Sequence, residues 1–342
     1  MITSELTSKL ANQICDEVKK AQENKLDYSL IYNDPDYTEK KNEFILFIKP
    51  ELTLKDNNIK LNDIVKHIFA KISEFNFDID LIKVLPGKYL DEHNIMARHY
   101  GVINKISNDA KNAVSNQAKE KFRELNGIEY DKSEVYGGHE FIKKFPEFTA
   151  LTLAMLWQNA HFQKLASGTY CGKIVFDDHP YFLVNAFHPR QLMHFNAPGR
   201  SIVVFSLSSD IDWADARNNF IGVTDPSKAN KGSIRNDLLQ LKDSLGIPVL
   251  NGAFNGVHLS AGPVEALNEL MRFNSDYTSP SGLKKTEDFR IGKLLKQNFD
   301  EDKLKLILEN EKAEKDGITV SSFDITEEKN TDDMVALLKP YY

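Results

Sequence analysis

The stretch NGVHLSAGPVEALNELMRF, residues 255–273, places several chemically capable side chains at short spacing. His258 has Asn255 three residues before it, Ser260 two after it and Glu269 eleven after it. A neutral imidazole is nucleophilic near pH 7 and can take up a group covalently. A carboxylate on its other nitrogen would set the tautomer and stabilise developing positive charge. Ser260 reads as a helix N-cap and Pro263 as a first-turn residue. Val264, Leu267, Leu270 and Met271 then give that helix a buried stripe. His258 is therefore expected just outside a helix N-terminus, where free N–H groups favour an anion such as phosphate. Taken alone, the window fits a structural histidine beside a cap better than it fits a nucleophile.

The elements that would position these residues are legible in outline. A helix is expected from about Glu5 to Glu23, followed by a polar connector, DYSLIYNDPDYTEKKN. EFILFIKP is an apolar burst of strand length ended by Lys49–Pro50. Leu61, Ile64, Val65, Ile68, Phe69 and Ile72 recur at helical spacing. FDIDLIKVLP alternates at its start and reads as a half-buried strand. SIVVFSL is a second buried strand, followed by an acidic helical piece, SSDIDWADARNNF. GVTDPSKANKGSIRNDLL opens as a loop at Asp225–Pro226. FTALTLAMLWQNAHFQKLA reads as helix or strand, KIVF and YFLV as short strands, and a further helix is expected near Glu301–Ala313.

Bulk properties set the class. The 342 residues are 41% hydrophobic and 27% charged, ordinary for a soluble globular protein. The net charge of −7 argues against broad nucleic-acid binding, while leaving room for a small cationic pocket. No apolar run approaches the ~20 residues of a membrane span, and no signal sequence is evident. Cys15 and Cys171 cannot build a disulfide framework, so a reducing, cytoplasmic setting is expected. The DDHP run at Asp177–Pro180 offers metal-ligand types but no metal-binding spacing, and reads as a surface loop.

Three distant segments together resemble the nucleoside diphosphate kinase family: FILFIKP, VTDPSKANKGSIR and NGVHLSAGPVEALNELMRF. That family has a strand ending in Lys–Pro, matched by Lys49–Pro50. Its Thr–Asn–Pro loop leads to a Gly-Thr-Ile-Arg segment, matched by Thr224–Asp225–Pro226 and Gly232-Ser233-Ile234-Arg235. Its histidine, serine and glutamate share the offsets of His258, Ser260 and Glu269. His99–Tyr100 is similar to the family's His–Tyr, and AFHPRQLMHF to its Phe-Phe-Pro helix, which would make Phe187 the base-stacking aromatic. The resemblance covers about 42–100 and 186–273.

The chain departs from the family pattern at Leu259, where the family has Gly, and at Ala261, where it has an Asp that helps hold Mg²⁺ through water. The family's phosphate-binding Arg falls on Asn218, with Arg217 one residue off. Extra residues separate Arg235 from Asn255.

The resemblance implies an α+β fold: a ferredoxin-like antiparallel sheet core flanked by helices, with a mainly helical insertion. It divides the chain into a helical extension at 1–41, a core at 42–273 interrupted at about 101–185, and a C-terminal extension at 274–342. It also implies transfer of a γ-phosphate from a nucleoside triphosphate to a nucleoside diphosphate through a phosphohistidine on His258. Glu269 and Ser260 would support the imidazole, and Tyr100 would donate to the moving phosphate. Lys49, Arg217 and Arg235 would hold phosphates, Thr224 and Asn255 phosphate or ribose hydroxyls, and Phe187 the base. Mg²⁺ would arrive on the nucleotide phosphates rather than on a protein site. A homo-oligomer and a protein partner at the insertion stay open. So do two other readings, a nucleotide-binding scaffold without turnover and a phosphohistidine donor to a macromolecule.

Overall fold

The computed structural model describes residues 4–34, 39–56, 58–166 and 168–342. These form two compact units, Met1–Tyr89 with Pro198–Tyr342, and Leu90–Ala197. The strands, in chain order, are β1 Ser29–Asn33, β2 Asn42–Ile48, β3 Asp78–Pro86, β4 Val135–Gly137, β5 Phe162–Ala166, β6 Thr169–Phe176, β7 His179–Val184, β8 Ser201–Ser209, β9 Val257–Leu259, β10 Lys312–Lys315 and β11 Ile318–Ser321. The fold is α+β, with open and mostly antiparallel sheets.

The first unit is built on a five-stranded sheet of order β1-β3-β8-β2-β9, antiparallel at every pairing. Every residue of β2 and β8 is buried, because helices cover both faces of these central strands. On one face the Leu61–Glu74 helix sets Phe69 edge-on against Phe205 of β8. On the other, the Pro263–Asn274 helix packs Phe273 against Phe47 of β2. The C-terminal end of that helix is tied down from the sheet. Lys83 of β3, 2% exposed, donates to the carbonyls of Asn274 and Ser275 at 2.7 and 3.1 Å. A buried ammonium at a helix C-terminus satisfies carbonyls that have no partner within the helix.

Four expectations change. The polar connector contains β1, which pairs with β3 across a bulge and carries the N-terminal segment into the sheet. β3 is half-buried only at its start; from Leu81 onward it is buried throughout. The helix expected to reach Ala313 ends at Leu308, and the chain turns into the β10–β11 hairpin. The second unit, expected to be mainly helical, holds its own sheet of order β4-β7-β6-β5, parallel at β4–β7 and antiparallel elsewhere. Asp177 and Asp178 turn the β6–β7 hairpin of that sheet at φ 51° and 58°, the left-handed pair a two-residue hairpin loop demands. The stretch read as helix or strand contains both, the Ala150–Asn159 helix followed by β5. Among the described residues no helix is long and apolar enough to cross a membrane.

Residues 274–342 pack into the first unit. Asn330 accepts from Asn42 at 2.9 Å and from the Trp213 backbone at 3.0 Å, and donates to Asp212 at 2.9 Å. Glu328 N–H donates to the Ala261 carbonyl at 2.9 Å. Gly262 permits this approach, since a Cβ there would stand 2.4 Å from the Thr326 carbonyl oxygen.

Candidate functional site

His258 lies in the middle of the three-residue edge strand β9, not at a helix end. It pairs across the ladder with Phe47 of β2, and Ser260 N–H continues the ladder to the Ile45 carbonyl at 3.0 Å. Ser260 is consequently not the helix cap. That place belongs to Gly262, after the two residues the chain uses to turn from strand to helix.

Strand alternation sends Leu259 and His258 to opposite faces. Leu259 is 0% exposed, part of the core beneath the sheet, so it adds no bulk beside the imidazole. The imidazole keeps 18% of its side-chain surface exposed. One ring nitrogen, Nε2, lies 2.8 Å from Glu269 Oε1, and the other carboxylate oxygen accepts from Ser260 Oγ at 2.6 Å. Ser260 Oγ also accepts from Ile45 N–H at 2.9 Å. Glu269 is 1% exposed. Hydrogen bonds to both oxygens offset the cost of burying this carboxylate. Burial pushes the His258 pKa below the ordinary histidine value. Glu269 opposes that shift, and the positive charges of Lys49 and Arg217 add to it. The ring is therefore neutral at pH 7.

The cations come from separate elements. Lys49 follows β2 directly and donates from Nζ to Asn255 Oδ1 at 2.7 Å. Burial, opposed by Glu51, lowers its pKa to about 8. Asn255 in turn donates to the Thr224 carbonyl at 3.0 Å, which joins the Lys–Pro turn to the exposed Thr224 loop. Arg235 sits in the first turn of the Ile234–Gln240 helix, 5% exposed, and donates to the carbonyls of Gly222 at 2.6 Å and Val257 at 2.9 Å. Among the described residues its buried Nε finds no hydrogen-bond partner.

Arg217 lies in a π-helical turn, Ala216–Ile221. From there its Nη1 reaches the Leu259 carbonyl at 2.9 Å, next to the His258 peptide unit, and its Nε stands 4.0 Å from Glu328. A π turn accommodates one residue more than the α spacing.

Eight of the expected residues thus gather in the first unit: Lys49, Arg217, Thr224, Arg235, Asn255, His258, Ser260 and Glu269. Tyr100 and Phe187 belong to the second unit. Tyr100 joins the Ile95–His99 and Gly101–Asn108 helices, its ring 5.9 Å from Phe195 and 6.2 Å from His188. Phe187 is half-buried before the His188–Asn196 helix, its ring 6.0 Å from Trp157 and 6.1 Å from Tyr170.

Three residues with a part here escaped the sequence reading. Phe47 stacks on His258, with ring centroids 4.5 Å apart and planes at 18°. Glu51, 5% exposed, accepts from Gly256 N–H at 2.9 Å and supplies negative charge near both Lys49 and Arg235. Glu265 is one helical turn before Glu269, and its pKa is pushed up to about 8. Burial is the larger cause, the Glu269 charge adds to it, and Arg217 opposes it. Its four-residue spacing from Glu269 was the one visible signal.

The donors around His258 suit an anion. Lys49 and Arg217 bring positive charge to a neutral imidazole, Arg235 bonds the carbonyl of the residue before it, and both oxygens of the buried carboxylate beside it are engaged. The position three residues after His258 is Ala261, so the chain offers no carboxylate there for a metal. A scan against protein-family models finds no match for this chain, and a search of curated proteins finds none.

Proposed function

We propose that this chain is a nucleoside diphosphate kinase-like phosphotransferase that carries a phosphoryl group on His258. The observation that carries the reading is the Ser260–Glu269–His258 relay, set on an edge strand of the unit that also gathers Lys49, Arg217 and Arg235. The order β3-β8-β2-β9 adds support. Numbered by their own sequence they run 2-3-1-4, with the Leu61–Glu74 helix between the first two and the Ile234–Gln240 helix before the fourth. That is the strand order of a ferredoxin-like core.

With Nε2–H donating to Glu269, Nδ1 carries the lone pair. It attacks the γ-phosphorus of a nucleoside triphosphate, the bond from that phosphorus to the bridging oxygen breaks, and nucleoside diphosphate leaves with the electron pair. The positive charge formed on the ring is stabilised by Glu269, which Ser260 holds in place. In the second half, a terminal oxygen of another nucleoside diphosphate attacks the same phosphorus and the P–N bond returns its electrons to Nδ1. Lys49 and Arg217 are the protein's cations for the equatorial oxygens. Mg²⁺ would enter on the phosphate oxygens and neutralise part of their charge. Thr224 and Asn255 are assigned to phosphate or ribose hydroxyls, Tyr100 to the moving phosphate and Phe187 to the base, all on the strength of the resemblance.

A second reading, a nucleotide-binding scaffold without turnover, draws on Arg235. Its Nη atoms already serve two backbone carbonyls, a structural use of a side chain expected to hold phosphate. Incubation with γ-labelled ATP separates the two. The expected result is an acid-labile, alkali-stable label on the protein that is absent from His258→Ala and moves to added nucleoside diphosphate. Nucleotide binding without label would leave only the scaffold. Label retained by His258→Ala would remove His258 as the nucleophile, and label that no nucleoside diphosphate accepts would point to a macromolecular acceptor.

A further inference from the structure

We propose that Phe47 is a positioning residue that fixes the plane of the His258 imidazole, an inference that rests on His258 being the phosphoryl acceptor. Phe47 stands directly across the β2–β9 ladder from His258, and the two rings stack at 4.5 Å with an 18° tilt. Phe47 is itself fully buried, so its ring is a flat and inaccessible floor under the imidazole. Behind it, Phe273 packs at 5.5 Å and 49°. Phe273 lies four residues after Glu269, on the same face of the Pro263–Asn274 helix. One helix therefore holds the imidazole twice, by a carboxylate on its edge and through Phe47 on its face.

The two constraints are complementary. A single hydrogen bond at Nε2 leaves the ring able to swing about the N···O line. A stacked ring removes that swing, and the Nδ1 lone pair then points in one direction within the ring plane. In-line displacement at phosphorus requires that direction to be held, and small misplacements of a reacting group are costly in rate. A branched aliphatic side chain would cover the same surface without being flat, which separates orientation from burial.

The test uses the full chain with Phe47→Leu and Phe47→Tyr. Two quantities are read: the rate of labelling from γ-labelled ATP, and the ¹⁵N-histidine NMR signal of the His258 Nε2–H. In Phe47→Leu, labelling should slow by about tenfold or more with the KM for ATP unchanged, and the protected Nε2–H signal should broaden or vanish. Phe47→Tyr, which keeps a flat ring, should restore both. Wild-type labelling and a sharp Nε2–H signal in folded Phe47→Leu would overturn the proposal. If Phe47→Leu does not fold, Phe273→Leu removes the support behind the stack while leaving Phe47 in place, and the same two readings decide. If the wild-type chain takes no label at all, the phosphotransfer reading fails. The NMR comparison then still decides whether Phe47 orients the ring.

Discussion

Both oxygens of Glu269 are in use, one on Nε2 of His258 and one on Ser260, so its charge and its geometry act together. Its charge raises the His258 pKa while burial lowers it, and burial is the larger effect. On the acid side the label-forming rate should therefore stay flat down to about pH 6.5 and fall only as the ring protonates below the ordinary histidine pKa. Glu269→Gln removes the charge and keeps the shape. The plateau should drop about 100-fold and the acid limb should move to lower pH; a limb that moves up would contradict the assignment. Lys49 gives the opposite limb. Its ammonium, with a pKa of about 8, is charged at neutral pH, so nucleotide affinity should weaken as pH rises past that value. Calorimetry at pH 9 in two buffers of different ionisation heat should show a proton taken up on binding, and lost in Lys49→Met. In the free protein the sign is the reverse of a stabilising pair. The folded pKa lies below the unfolded one near 10.5, so burying this charge costs stability fully below about pH 8 and progressively less up to 10.5. At this scale the spacing of Asn255, Ser260 and Glu269 about His258 could be read directly from the chain, because each belongs to one short strand–turn–helix. Phe47 could not, since nothing in FILFIKP says which residue of another strand it will face.

Among the elements, the three-residue β9 and the π turn were the least legible. Val-His-Leu is too short to show alternation, and the helix signals at Ser260 and Pro263 pulled the expected helix start toward His258. Hydrogen bonding to β2 decides the matter instead. The π turn at Ala216–Ile221 moves Arg217 relative to an α-helical count, and no residue type announces such a turn. β1 was hidden because two of its five residues are polar and its flanks are polar as well. By contrast, the apolar runs of β2 and β8 and the periodic Leu61–Glu74 helix were plain, since full or one-sided burial imposes those patterns. Gly256 tests how tightly the elements around the site are fixed. It sits at φ +81°, its N–H bonds Glu51, its carbonyl takes the Lys49 N–H at 2.8 Å, and a Cβ would stand 3.0 Å from Leu52 Cδ1. Gly256→Ala should destabilise the protein by about 1–3 kcal/mol, measured by urea unfolding, and weaken nucleotide binding by displacing Asn255. A neutral effect on both would mean that this turn does not set the site.

For the whole molecule, the first unit is continuous across a long excursion of the chain. β3 and β8 are neighbours in the sheet, Pro86 opposite Ser201, and Gly87 N–H bonds the Arg200 carbonyl at 2.7 Å. The chain leaves after Tyr89 and returns at Pro198 with its sheet neighbours already in register. Replacing Leu90–Ala197 by a short Gly/Asn-rich turn should give a protein that keeps its antiparallel sheet and unfolds in one cooperative transition, monitored by circular dichroism. A non-cooperative or aggregated product would show that the first unit needs the second. The sequence marked an interruption after Tyr100, but the compact unit begins at Leu90, inside the Gly87–Glu92 helix, and Pro86–Gly87 and Pro198–Gly199 stand within a few residues of its two ends. At the other end of the chain, Glu328 bonds Ala261, Thr326 crowds Gly262, and Asn330 bridges Asn42, Asp212 and Trp213. In translation order, then, the turn behind the His258 strand receives its clamp last. Until residue 330 has cleared the ribosome, a nascent chain holds His258 on a strand whose following turn is not yet clamped.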